Sequence, residues 1–150
     1  MRTLIILAGV TLLVQSGCGR STDASPDSRK EAIRKFIAGA DRIEIYLDRT
    51  ARPDWTVPPG LVLTKRSDIA DLTADLVLAP KKPCDCGHSR TIRFWRGKDV
   101  LSASICDHCF DVIDEESVVS RVRVTHFKMP ERFWEKLCRL EQEQQNKTSE

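Results

Sequence analysis

Two short cysteine pairs bracket a strand-like stretch, residues 89–105, and constrain this chain more than any other feature. On one side lies Cys84-Asp85-Cys86-Gly87-His88, on the other Cys106-Asp107-His108-Cys109. If the four thiols share one chemistry, whatever forms between them must bring the second pair back to the first. The stretch itself says how. Thr91, Arg93 and Trp95 alternate with Ile92 and Phe94, and Leu101, Ala103 and Ile105 alternate with Ser102 and Ser104. A period of two marks half-buried strands. Arg96-Gly97-Lys98-Asp99 between them is a tight-turn signal, with Gly97 free to take positive φ.

A β-hairpin with Gly97-Lys98 as its loop sets Trp95 against Val100, Phe94 against Leu101 and Ile92 against Ala103. That register collects the apolar residues on one face, as a half-buried hairpin requires. Continued outward it places Cys86 opposite Cys109 and His88 opposite Asp107. The regular pleat need not persist that far, since Gly87 and the C-x-x-C spacing both favour local turns.

Three chemistries fit four thiols at one end of a hairpin. The leading one is a structural metal site. Zinc takes four tetrahedral N or S ligands, and Cys84, Cys86, Cys106 and Cys109 supply them, with His88 and His108 as alternates. The second is one or two disulfides, favoured in an oxidising compartment. The third is a redox-active pair, Cys106 and Cys109. Cys106-Asp107-His108-Cys109 resembles the C-x-H-C of strong periplasmic oxidants of the thioredoxin fold. That fold needs its motif after a first strand and at the opening of a helix; here the motif follows a hairpin.

The first residues read as an address. Leu4 to Val14 is almost wholly apolar after Arg2, too short to span a bilayer and suited to a secretory signal core. Gln15-Ser16-Gly17-Cys18 follows. The run resembles the lipobox of bacterial lipoproteins, with small residues at the two positions before the cysteine. That resemblance implies cleavage after residue 17 and a diacylglycerol and acyl chain on Cys18. It also implies export across the inner membrane and anchoring to the cell envelope by lipid. Residues 1–17 are then the signal peptide and 18–27 a lipidated tether. Residues 28–142 form one domain, and 143–150 a disordered tail.

Composition narrows the partners. The formal net charge of the 150 residues is +2, without a basic run, so nothing electrostatic points to nucleic acid. The membrane, through the lipid, is the expected partner, and an envelope protein is a second. No phosphate loop, G-x-S-x-G, G-x-G-x-x-G or H-E-x-x-H is present. The leading reading is a non-enzymatic protein, and a thiol–disulfide oxidoreductase using Cys106 and Cys109 is the enzymatic alternative.

The remaining segments fill out the architecture. Ser28 and Glu31 have capping-box spacing, opening a helix over residues 29–38. Residues 41–48 alternate as a strand. Residues 49–60 hold three prolines and Trp55 and read as a loop. Leu61 to Thr64 is a short strand. Ser67 caps a helix through about Leu78, with Ile69, Leu72, Leu76 and Val77 facing the core. Phe110 to Ile113 either extends the sheet or makes a turn of helix. Asp114-Glu115-Glu116 is an exposed bend, Ser120 to Lys128 a strand with His126 near its edge, and Pro130 opens a last helix whose end frays from about Glu143.

The expected fold is α+β: a single antiparallel sheet of four or five strands, two or three helices packed chiefly on one face, and a central hairpin carrying the cysteine cluster. A disulfide-stapled binding or inhibitory module presenting Trp55, Arg93 and Trp95 is the alternative to the zinc-clamped lipoprotein.

Overall fold

The computed structural model describes residues 26–47, 57–83, 85–113 and 124–148. The signal run, Cys18 and most of the tether, Trp55, Cys84 and the acidic bend lie outside the described residues. Those described form α1 (Pro26–Ala38), β1 (Arg42–Tyr46), β2 (Leu61–Leu63), α2 (Arg66–Thr73), β3 (Arg90–Arg96), β4 (Asp99–Ile105), β5 (Cys109–Ile113), β6 (Val124–Lys128) and α3 (Glu131–Thr148). The strands make one antiparallel sheet in the order β2-β1-β3-β4-β5-β6.

The sheet has six strands rather than four or five. The difference comes from Cys109–Ile113, which extends the sheet as β5 instead of forming a helical turn. Its sequence, Cys-Phe-Asp-Val-Ile, is buried at four of five positions. Burial on both faces erases the polar alternation that identifies a strand in sequence.

The hairpin has the register its alternation predicts. Trp95 pairs with Val100, Phe94 with Leu101 and Ile92 with Ala103. Gly97 takes φ of 62° in the two-residue loop between Arg96 and Asp99, a conformation open to glycine without steric cost. The same parity carries across the sheet. Ile43, Ile92, Ala103, Phe110, Val112 and Phe127 face the helices and join Ile33 and Ile37 of α1, Ile69 and Leu72 of α2, and Phe133 and Leu137 of α3 in one core. At its centre Phe110 lies between Phe94 and Phe133, with ring centroids 6.2 and 5.9 Å away. Each fully buried phenyl ring contributes roughly 1.5–3 kcal/mol from removal of apolar surface.

The helices depart from expectation at their ends. α1 begins at Pro26, a residue suited to a first turn because its missing N–H has no intrahelical acceptor there. Ser28 therefore sits inside the helix rather than capping it, and Glu31 pairs with Arg34 at 2.8 Å. α2 starts at Arg66 without a side-chain cap and stops at Thr73. Beyond it Leu76 and Leu78 are buried while Val77 is 71% exposed. That alternation of two belongs to extended chain, so Val77 points away from the core it was expected to face. The extended chain continues alongside β6, where Lys81 N–H donates to His126 O and Lys128 N–H to Ala79 O. α3 runs past Glu143 to Thr148, supported by the Arg139–Glu143 pair one turn apart.

α3 is fastened at two places. Arg90, at the start of β3, binds Glu141 through two N–H···O bonds of 2.7 Å, and its guanidinium stacks 4.6 Å from the Trp134 ring centroid. Lys136 reaches Asp71 Oδ1 at 2.9 Å and Asp75 Oδ2 at 3.0 Å, tying α3 to the end of α2. No described helix is long and apolar enough to cross a membrane.

Candidate metal centre

Cys86 meets Cys106 and Cys109 at the end of the sheet where β3 begins and β4 turns into β5. Cys106 N–H donates to Cys109 O at 3.0 Å, closing Cys106-Asp107-His108-Cys109 into a tight turn. Two donors pin that turn from outside. His108 O accepts from Met129 N–H at 3.2 Å and from Lys81 Nζ at 3.1 Å. The β3 side arrives alongside, with Ser89 N–H donating to Ile105 O at 3.1 Å. Residues 86–88 are thereby carried against the turn.

One ligand atom from each of Cys86, His88, Cys106 and Cys109 lies within 4.8 Å of all the others. Cys106 and Cys109 are buried, and Cys86 and His88 are half-buried. Cys86 Sγ is 2.7 Å from Cys109 Sγ and 3.5 Å from Cys106 Sγ. A disulfide bond measures about 2.05 Å, whereas sulfurs on a tetrahedral zinc with Zn–S bonds of about 2.3 Å stand about 3.8 Å apart. The Cys86–Cys109 pair falls between the two, and three sulfurs in mutual reach leave one over after any single disulfide.

Of the sulfurs named from the sequence, Cys86, Cys106 and Cys109 converge. Cys84 lies outside the described residues. The two alternates separate cleanly: His88 joins the group, while His108, with 71% of its side chain exposed, faces Asp107 at 3.5 Å outside it. His88 does not meet Asp107 either, because the ladder gives way to a turn after Ile105. Its Nε2 lies 3.1 Å from Asp111 Oδ2 instead.

The surroundings hold groups that motif spacing did not indicate. Asp111, with 5% of its side chain exposed, also approaches His126 Nδ1 at 3.0 Å through the same oxygen. Asp111 and His126 are direct cross-strand partners in β5 and β6. Their parity is legible in sequence only once that register is known. Lys81 Nζ is 3.0 Å from Cys109 Sγ, setting a positive charge against a sulfur. Three thiolates, one imidazole and a divalent ion carry net negative charge, so this lysine complements such a site electrostatically.

Away from this centre, two of the candidate recognition residues, Arg93 and Trp95, form a closed arrangement with Arg42 and Glu44. The Arg42 and Arg93 guanidinium groups lie 4.7 and 4.5 Å from the Trp95 ring centroid, and Trp95 Nε1 donates to Glu44 Oε2 at 2.8 Å. Trp95 is half-buried among its own neighbours rather than presented as a bare aromatic surface. No protein-family model, curated protein or solved structure matches the chain.

Proposed function

We propose that this chain is a small, non-enzymatic envelope lipoprotein whose domain is clamped by a structural zinc ion bound by Cys86, His88, Cys106 and Cys109. The observation that carries the metal reading is the convergence of four donor atoms within 4.8 Å of one another. Three sulfurs and an imidazole suit zinc, a borderline-soft ion that accepts such mixed sets in closed tetrahedral sites. The ligands come from two connections, the irregular segment preceding β3 and the turn joining β4 to β5, so a bound ion fastens residues twenty positions apart. That is the work of a structural site, where metal binding contributes directly to folding. Attachment to the envelope rests on the lipobox resemblance ending at Cys18.

The test is metal content together with free-thiol counts on the purified chain, native and denatured. The expected result is about one zinc per chain, with protected thiols that react only after denaturation and chelation. The short Cys86–Cys109 approach supports a second reading, a disulfide at that pair. Absence of zinc with loss of two titratable thiols would establish the disulfide and overturn the zinc clamp. Labelling with a fatty-acid analogue tests the anchor, and incorporation that survives Cys18→Ser would overturn lipidation at that residue.

A further inference from the structure

The two ring nitrogens of His88 have different surroundings. Nε2 is buried and lies 3.1 Å from Asp111 Oδ2. The carboxylate is placed by the sheet: Asp111 sits inside β5, and the same oxygen lies 3.0 Å from His126 Nδ1 on β6. Neither contact is aligned as a hydrogen bond, so the carboxylate acts on the two rings by proximity and charge. In a neutral imidazole only one nitrogen carries the proton, and the lone pair available to a metal is on the other. A nitrogen facing a buried carboxylate keeps its proton, because N–H donates to the carboxylate whereas two lone pairs repel. Nε2 is the nitrogen that faces the carboxylate, which leaves Nδ1 as the donor.

We propose that His88 binds the metal through Nδ1 and that Asp111, itself braced by His126, is the positioning residue that fixes this choice. The inference rests on the metal site proposed above and deepens it. A carboxylate on the far nitrogen of a histidine ligand orients the ring and raises its basicity, and loss of such a partner weakens metal affinity about 10–100-fold. It also divides the labour within the sheet: β3 leads off from the ligand, β5 supplies the carboxylate, and β6 steadies it. A metal held this way depends on strand pairing three strands wide, beyond the loops that carry the sulfurs.

The experiment loads the full chain, labelled with nitrogen-15 histidine, with cadmium-113 alone, and reads metal–nitrogen coupling by NMR. Cadmium–thiolate charge-transfer absorption reports binding independently. The expected result is coupling at His88 Nδ1 with the proton on Nε2. Coupling at Nε2, or thiolate absorption without any coupling to His88, overturns this proposal and leaves the metal site standing. Absence of thiolate absorption overturns the metal site and this proposal together. The Asp111→Asn variant keeps the shape and removes the charge. It should bind cadmium about 10–100-fold more weakly and split the coupling between the two nitrogens, since an amide offers either a donor or an acceptor to Nε2. Asp107→Asn, on the exposed turn, should match the unmodified chain. Unchanged affinity and pure Nδ1 coupling in Asp111→Asn would show that Asp111 does not position the ring.

Discussion

Arg90 and Glu141 join the first residue of β3 to the far half of α3 through two parallel N–H···O bonds of 2.7 Å. Their side chains are only 20% and 8% exposed, and Trp134 covers the guanidinium. Planar two-point pairing of this kind fixes the helix in both position and rotation. It also stands at the strand end that leads to His88, so the helix and the candidate metal centre share an anchor.

Removing one partner of that pair should be costly. Arg90→Met or Glu141→Leu alone is expected to destabilise the fold by about 3 kcal/mol, because each leaves the other charge buried and unpaired. The double variant should recover most of the loss. Urea denaturation of the three variants checks this, and additive losses in the double variant would contradict it.

Metal removal should loosen the end of the sheet. A clamp held at 1,000 times its dissociation constant stabilises by about 4 kcal/mol. A strong chelator should therefore lower Tm by many degrees in the unmodified chain and have little effect on Cys109→Ser. Calorimetry with and without chelator reads the difference. Equal Tm values in the unmodified chain would argue against the clamp.

Tyr46 gives the fold a sensitivity to alkali. Burial pushes its hydroxyl up from the ordinary phenol range, opposed by Arg93 and reinforced by Glu44, whose Oε2 accepts from the hydroxyl at 3.1 Å. The unfolded chain ionises first, so this contribution is intact below the ordinary tyrosine pKa of about 10 and is lost as pH rises toward the folded value. The midpoint of urea unfolding should fall more steeply above about pH 10 in the unmodified chain than in Tyr46→Phe. Parallel curves would show that the phenol plays no part.

Cys138 should be a slow thiol. Burial against the core raises its pKa, with Arg90 pulling down and Glu141 pushing up by smaller amounts. Since the thiolate is the nucleophile, alkylation at neutral pH should be much slower in the folded chain than after denaturation. Mass spectrometry of timed iodoacetamide reactions checks this; rapid modification of native Cys138 would refute it.

The parts of the fold legible in sequence were those where one physical rule acted alone. The hairpin was readable because alternation, loop chemistry and apolar register agreed on the pairing of Ile92 with Ala103. The end of α2 was not. Leu72 and Leu76 sit at helical spacing while Leu76 and Leu78 sit at strand spacing, and pairing with β6 settled the contest in favour of extended chain. At the site, the thiol spacing pointed to Cys84, Cys86, Cys106 and Cys109, and among the described residues the last three converge. Preference for His88 over His108 depended on the turn after Ile105, which brings His88 among the sulfurs and leaves the His108 side chain exposed. Asp111 sits 23 residues from His88 and 15 from His126, and only strand order brings the three together.

The strip 79–81 beside β6 leaves the two margins of the sheet unlike one another. Pro80 bridges Phe127 there and has no N–H to offer a further strand. Among the described residues, that margin is therefore the poorer template for a neighbour's strand. The opposite margin is the three-residue β2, whose Val62 is 46% exposed. Among the described residues, a chain adding a strand to this sheet finds the better template at β2, on the margin opposite the strip beside β6.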